Sequence, residues 1–201
     1  MKFRMTDLRQ CRRMRPGRAR LSILTPFFLA LAVAIAHIAF SRSHAQSVNE
    51  YQVKAAYLYN FAKFVEWPPE AFGPGGDPFV VGVIGDDPFG GALDQAISGK
   101  NVNGHPLMIK RLKWGQDLRG CHILFISSSE RKRLGQIFGS LRGANVLTIG
   151  ESDRFGQQGG IITFVMEDET VRFEINTSVA DQSRLKVSSK LLALAKGVRN
   201  R

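Results

Sequence analysis

Apolar positions recur along this chain with two periods, near 3.6 and 2, and the switches between them mark its elements. Residues 48–66, VNEYQVKAAYLYNFAKFVE, put Val53, Ala56, Tyr57, Asn60, Phe61 and Phe64 at helical spacing, and Trp67-Pro68-Pro69 ends the helix. Leu58, Ala62 and Val65 widen the stripe well beyond a third of the circumference. Such a helix is buried on more than one side or covers a partner, and both readings stand. Lys54 and Lys63 lie about half a revolution apart, so they form no single cationic patch. FVVGVIG at 79–85 and CHILFIS at 121–127 are continuous apolar runs of the kind that fill strands buried on both faces. Between them the pattern predicts a helix through Ala92, Leu93 and Ile97, a turn at Asn103-Gly104 and an alternating strand over 107–112. Ser128 or Ser129 can cap a helix carrying Leu134, Ile137, Phe138 and Leu141, with Gly143 beyond its end, and 145–149 reads as the next strand.

Towards the C-terminus IITFVM and VRFEIN flank Glu167-Asp168-Glu169-Thr170, which predicts a β-hairpin. In its second arm Val171, Phe173 and Ile175 share one face, and Arg172, Glu174 and Asn176 share the other. That polar stripe is either a solvated face or one wall of a binding site. A last helix capped by Ser188 or Ser189 should turn Leu191, Leu194, Ala195 and Val198 inward. The fold class is α/β: a mainly parallel sheet with helices on both faces and a C-terminal β-hairpin.

The first 45 residues do not belong to this pattern. An arginine-rich stretch, the apolar run 21–40 and the small residues of SRSHA read as an export signal, with cleavage after Ala45 placing a single domain, residues 46–201, in the periplasm. The apolar run is also near the ~20 residues that span a bilayer, so an uncleaved anchor is the alternative. This segment changes the meaning of the net charge of +11. It holds nine of the 28 basic and one of the 17 acidic residues, leaving 19 against 16. The remainder has no charge argument for nucleic-acid binding.

Candidate chemistry is sparse. His105, His122 and Cys121 are the only imidazoles and thiol after residue 45. Cys121 and His122 are sequence neighbours, which in a strand point to opposite faces and form no dyad. Nothing chemical would then depend on either histidine. Asp86 and Asp87 follow a parallel strand, where open α/β sheets bind ligands, although Asp before Pro88 also caps helices and makes Asx turns. No phosphate-binding glycine motif, metalloprotease helix or nucleophile elbow occurs, so no catalytic residue, cofactor or metal is expected. Asn176-Thr177-Ser178 matches a glycosylation acceptor by chance.

Six segments in order, KAAYLYNFAKFVEWP, IGDDPFG, CHILFISSSE, GGIITFVMED, VRFEIN and SSKLLALA, resemble the YfiR family over about residues 50–198. The resemblance implies an exported, non-catalytic α/β regulator. Such a protein holds a membrane-bound diguanylate cyclase inactive through its periplasmic region, and its release raises cyclic di-GMP in the cell. The implied partner is an inner-membrane signalling protein, a diguanylate cyclase or sensor kinase. Tyr57, Asn60 and Phe61 on the first helix and the stripe Arg172, Glu174 and Asn176 are then the contact surfaces. The alternative is a periplasmic small-molecule receptor in which Asp86 and Asp87 close on a ligand. Some relatives use disulfides, whereas Cys121 has no partner once Cys11 leaves with the export segment, and a homodimer stays open. The turn at 167–170 also lacks the glycine often found there in relatives.

Overall fold

An apolar helix, α1 (residues 50–64), leads into a short strand, β1 (Val65–Glu66), and a single 3-10 turn, Pro69–Ala71, in a computed structural model that describes residues 50–73 and 76–200. The chain divides into two units, Met1–Ser43 and His44–Arg201, and the described residues belong to the second. The expected export segment, 1–45, lies outside them. No described helix is long and apolar enough to cross a membrane.

The elements then alternate: β2 (Phe79–Ile84), α2 (Gly91–Ile97), β3 (Asn101–Val102), β4 (His105–Leu112) and β5 (Ile123–Ile126). A 3-10 turn over Ser128–Arg133 runs into α3 (Leu134–Ser140), followed by β6 (Leu147–Gly150), β7 (Ile162–Glu167) and β8 (Thr170–Asn176). The chain closes with α4 (Thr177–Gln182), β9 (Lys186–Val187), α5 (Ser189–Leu194) and β10 (Gly197–Arg199). Eight strands form one sheet in the order β10-β8-β7-β6-β5-β2-β4-β3. It is parallel except for the β7/β8 hairpin and the β3/β4 pair. β1 and β9 pair separately.

The apolar runs explain the layering. Every residue of β2, β5 and β6 is buried, because helices cover both faces there. One face carries Val81, Val83, Phe125 and Ile149 against α1, α2 and α5; the other carries Val80, Ile84, Leu124 and Ile126 against α3 and Phe155. Position 82 faces the same side as Val80 and Ile84, and it is glycine because a Cβ there would sit 2.6 Å from Cys121 Sγ. Any larger residue would push β2 away from the segment preceding β5.

Four expectations need correction. The last helix stops at Leu194, which is 63% exposed, and Val198, 44% exposed, belongs to β10 instead of packing inward. The bare edge of β8 accounts for this: Lys196 N–H donates to Phe173 O at 2.8 Å and zips the chain onto the sheet. Asn176 is buried, not part of a polar face; its side chain accepts from Val179 N–H at 3.2 Å and donates to Gly156 O at 3.1 Å. Asn176-Thr177-Ser178 is therefore a helix cap. Neither Ser128 nor Ser129 caps α3: Ser127 caps the 3-10 turn before it, and α3 itself starts after Arg133 with no side-chain cap. His122 is not dispensable to the packing, since it is buried with both ring nitrogens bonded, Nδ1 accepting from Val80 N–H at 3.0 Å and Nε2 meeting Ala71 O at 3.1 Å.

Candidate functional site

The connections leaving β2 and β5 diverge. The Gly85–Pro88 loop leads to α2 on the α1 face, and Ser127–Ser129 lead to α3 on the opposite face. Adjacent parallel strands whose connections part in this way leave a crevice at their carboxyl ends, the usual ligand position in open α/β sheets. Here it encloses about 590 Å³ between Asp86, Asp87, Ser127, Ser128, Ser129, Arg131, Lys132, Tyr51 and Glu151. The two loops are tied together, Asp86 N–H donating to Ser129 Oγ at 3.0 Å. Gly85, at φ 91°, allows the approach, because a Cβ would lie 2.5 Å from the same oxygen.

Asp86 and Asp87 differ in what they have left to offer. Asp87 Oδ1 accepts from Phe89 N–H at 2.8 Å, an Asx turn, and Oδ2 accepts from Arg111 Nε at 2.7 Å. Arg111 also reaches Asp94 at 2.6 Å and Gly90 O at 3.1 Å. Its hydrogen bond holds the Asp94 carboxyl below its ordinary range. Asp87 is thus committed to the fold, while the Asp86 carboxylate is exposed and forms no ion pair among the described residues.

A second cleft, of about 730 Å³, adjoins the first and shares Tyr51, Ser128 and Glu151 with it. Glu174 and Asn176 line it, together with the 152–157 loop and the inner side of β10. The ridge between the clefts is an ionic latch. Lys54, 3% exposed, donates to Glu151 Oε2 at 2.5 Å and to Glu50, and Tyr51 donates its hydroxyl to Glu151 Oε1 at 3.1 Å. The Lys54 ammonium lies 4.6 Å from the centre of the Tyr51 ring. Burial, and then the Glu151 carboxylate, push the Tyr51 hydroxyl pKa up, which keeps it a hydrogen-bond donor. These three residues were not singled out from the sequence as a site. The available signal was a lysine inside an apolar helical stripe, a position that calls for a buried counter-charge.

The other expected contacts are scattered. Phe61 is fully buried, which corrects its assignment to a partner surface. It stacks on Tyr57 at 5.8 Å and meets Phe173 at 5.1 Å, and half-buried Tyr57 meets Phe173 at 5.3 Å. These rings fasten α1 to the hairpin. Asn60 is exposed, in line with Val53 and Ala56. Arg172 is exposed on β8, 3.7 Å from Glu167, outside both clefts. Among the described residues no cluster of three His, Cys, Asp or Glu side chains could hold a metal ion.

The sequence pattern of the YfiR/HmsC-like family matches residues 51–196, from the Tyr51 of the ridge to the threshold of β10. The chain belongs to the YfiR/HmsC-like family. No curated protein matches it. Among solved structures, the YfiR/HmsC-like chain is similar to a conserved domain protein from Vibrio cholerae O1 biovar El Tor strain N16961. Their identity is 10% and the TM-score 0.45, over 60% of this chain and 55% of that one.

Proposed function

We propose that this YfiR/HmsC-like domain is an exported regulator that binds the periplasmic part of an inner-membrane signalling enzyme, a diguanylate cyclase, and represses it. The observation that carries the reading is the family match, which runs through nearly every element of the fold. The exposed side of α1 supports it. Val53, Ala56 and Asn60 form an uncharged stripe over two turns, with exposed Lys63 one turn beyond its end, while Leu58, Phe61 and Ala62 bury the opposite side. A stripe without charges is cheap to desolvate against a partner.

Deleting the gene should raise cellular cyclic di-GMP, and overexpression should lower it. Phe61→Asp is a poor probe, since a charge in the core unfolds the domain. Ala56→Glu and Asn60→Glu alter only exposed positions. Both should keep the native circular dichroism, fail to co-purify with the membrane partner and raise cyclic di-GMP as deletion does. A level unchanged by both deletion and overexpression would sink the cyclase reading.

A second reading, a small-molecule receptor, is favoured by the crevice at the carboxyl ends of β2 and β5 and by the uncommitted Asp86 carboxylate within it. In that case Asp86→Asn, and not Asn60→Glu, would abolish signalling.

A further inference from the structure

We propose that the segment Trp67–Gly73 is a proton-operated strap, held on the sheet by neutral His122 and released when His122 takes up a second proton. The inference goes beyond the proposed function and does not depend on the identity of any partner. His122 lies in a column of rings. It stacks on Phe79 at 4.7 Å and on Phe72 at 4.7 Å, and Phe72 stacks on His105 at 4.4 Å. Its hydrogen bonds fix the tautomer. Nδ1 faces the backbone N–H of Val80 at 3.0 Å and must accept, so Nε2 carries the hydrogen and donates to Ala71 O at 3.1 Å. One imidazole thus ties the strap to β2.

A second proton can bind only at Nδ1, where it meets the Val80 N–H head-on. The Nδ1 bond is then lost, and an uncompensated cation is left among aromatic rings. His105 behaves differently, because its Nδ1 is bonded to Asp77 O at 2.7 Å and its protonated form keeps that bond. The two histidines on either side of Phe72 therefore have different roles, and His122 is the one that opens the strap.

No carboxylate stands ready to neutralise the cation. Glu70, on the strap, is exposed and paired with Arg184 at 2.8 Å; Asp77, ahead of β2, and Glu66, on β1, are exposed; His105 is the titratable group on the β4 side; Cys121 points to the other face. Burial lowers the His122 pKa, the Ala71 bond opposing, and positive charge on His105 lowers it further. The sign follows. The strapped state has the depressed pKa and a released state the ordinary one near 6.5, so the strap is fully favoured above about pH 6.5. It loses at most about tenfold in closed-to-open ratio per pH unit below that. Release uncovers Phe72 and Phe79 and frees the Trp67 indole, whose Nε1–H donates to His122 O at 3.3 Å. β1, which joins the strap to α1, pairs with β9, so the signal has a short path to the exposed face of α1.

Trp67 and Trp114 are the two tryptophans, so Trp114→Phe makes Trp67 a unique reporter. Between pH 8 and 4.5 that protein should show a reversible red shift of Trp67 emission with a midpoint below about 6.5, at constant far-ultraviolet circular dichroism. Adding His122→Gln, which accepts and donates but does not titrate, should remove the transition, whereas adding His105→Gln should keep it and move its midpoint up, because the His105 charge that lowers the His122 pKa is gone. Constant emission, or the same transition with His122→Gln, overturns the proposal. If His122→Gln fails to fold, nuclear magnetic resonance of the wild-type ring decides. Protonation of His122 coupled to lost protection of the Val80 amide supports the strap. Protonation with that amide still protected, or no protonation down to pH 4.5, overturns it.

Discussion

Single residues in this protein take their meaning from whether a partner reaches them. Lys54 stands in the sequence as a lysine within an apolar helix and names no partner there, yet it is 3% exposed and lies between Glu50 and Glu151. Removing it would leave two carboxylates at the ridge without their cation, an imbalance that costs about 3–5 kcal/mol when the pair is buried and less at the partial exposure found here. Cys121 shows the reverse. It is 4% exposed, and burial pushes its thiol up to about 11, with the opposing effects of Lys110 and Asp117 secondary. Burial thus suppresses the thiolate. Near neutral pH an aromatic disulfide reagent should label native protein at least roughly a hundredfold more slowly than protein unfolded in guanidinium. Comparable rates would mean that Cys121 is accessible and would reopen an intermolecular disulfide, for which the buried thiol otherwise has no route.

Elements were legible where their own residues settle them. The turn between β7 and β8 was expected from the polar run at 167–170, and its missing glycine turns out to have an energetic consequence. Asp168 and Glu169 both adopt left-handed backbone angles, φ 46° and 61°, as a two-residue hairpin turn requires. Glutamate is a poor occupant of that region, so Glu169→Gly should stabilise the domain by about 1 kcal/mol, read as a higher denaturant midpoint at unchanged m-value. A lower midpoint would mean that Glu169 makes a compensating contact. The end of α5 was not legible. Leu191, Leu194, Ala195 and Val198 keep helical spacing, but the periodicity could not register that β8 has an open edge a few ångströms away.

For the whole molecule, charge and cleft have to be read separately. The basic excess is concentrated in residues 1–45, outside the described fold, and those residues make the export prediction. Protein recovered from its natural compartment should begin at or near Gln46 by N-terminal sequencing, and an intact Met1 on a membrane-embedded species would refute cleavage. The sequence by itself determined the α/β class, two of the three fully buried central strands, the hairpin and the family, because these rest on local periodicity and on the order of short segments. Tertiary structure decided which polar residues matter. It joined Tyr51, Lys54 and Glu151 into one ridge, separated Asp86 from Asp87 by giving Arg111 to the latter, buried Phe61 and Asn176, and placed His122 between two rings and two backbone groups. Lys54 and Glu151 are 97 positions apart, as Val80 and His122 are 42. No spacing rule relates such residues, because the contact follows from the strand order, which is set by packing the sheet as a whole.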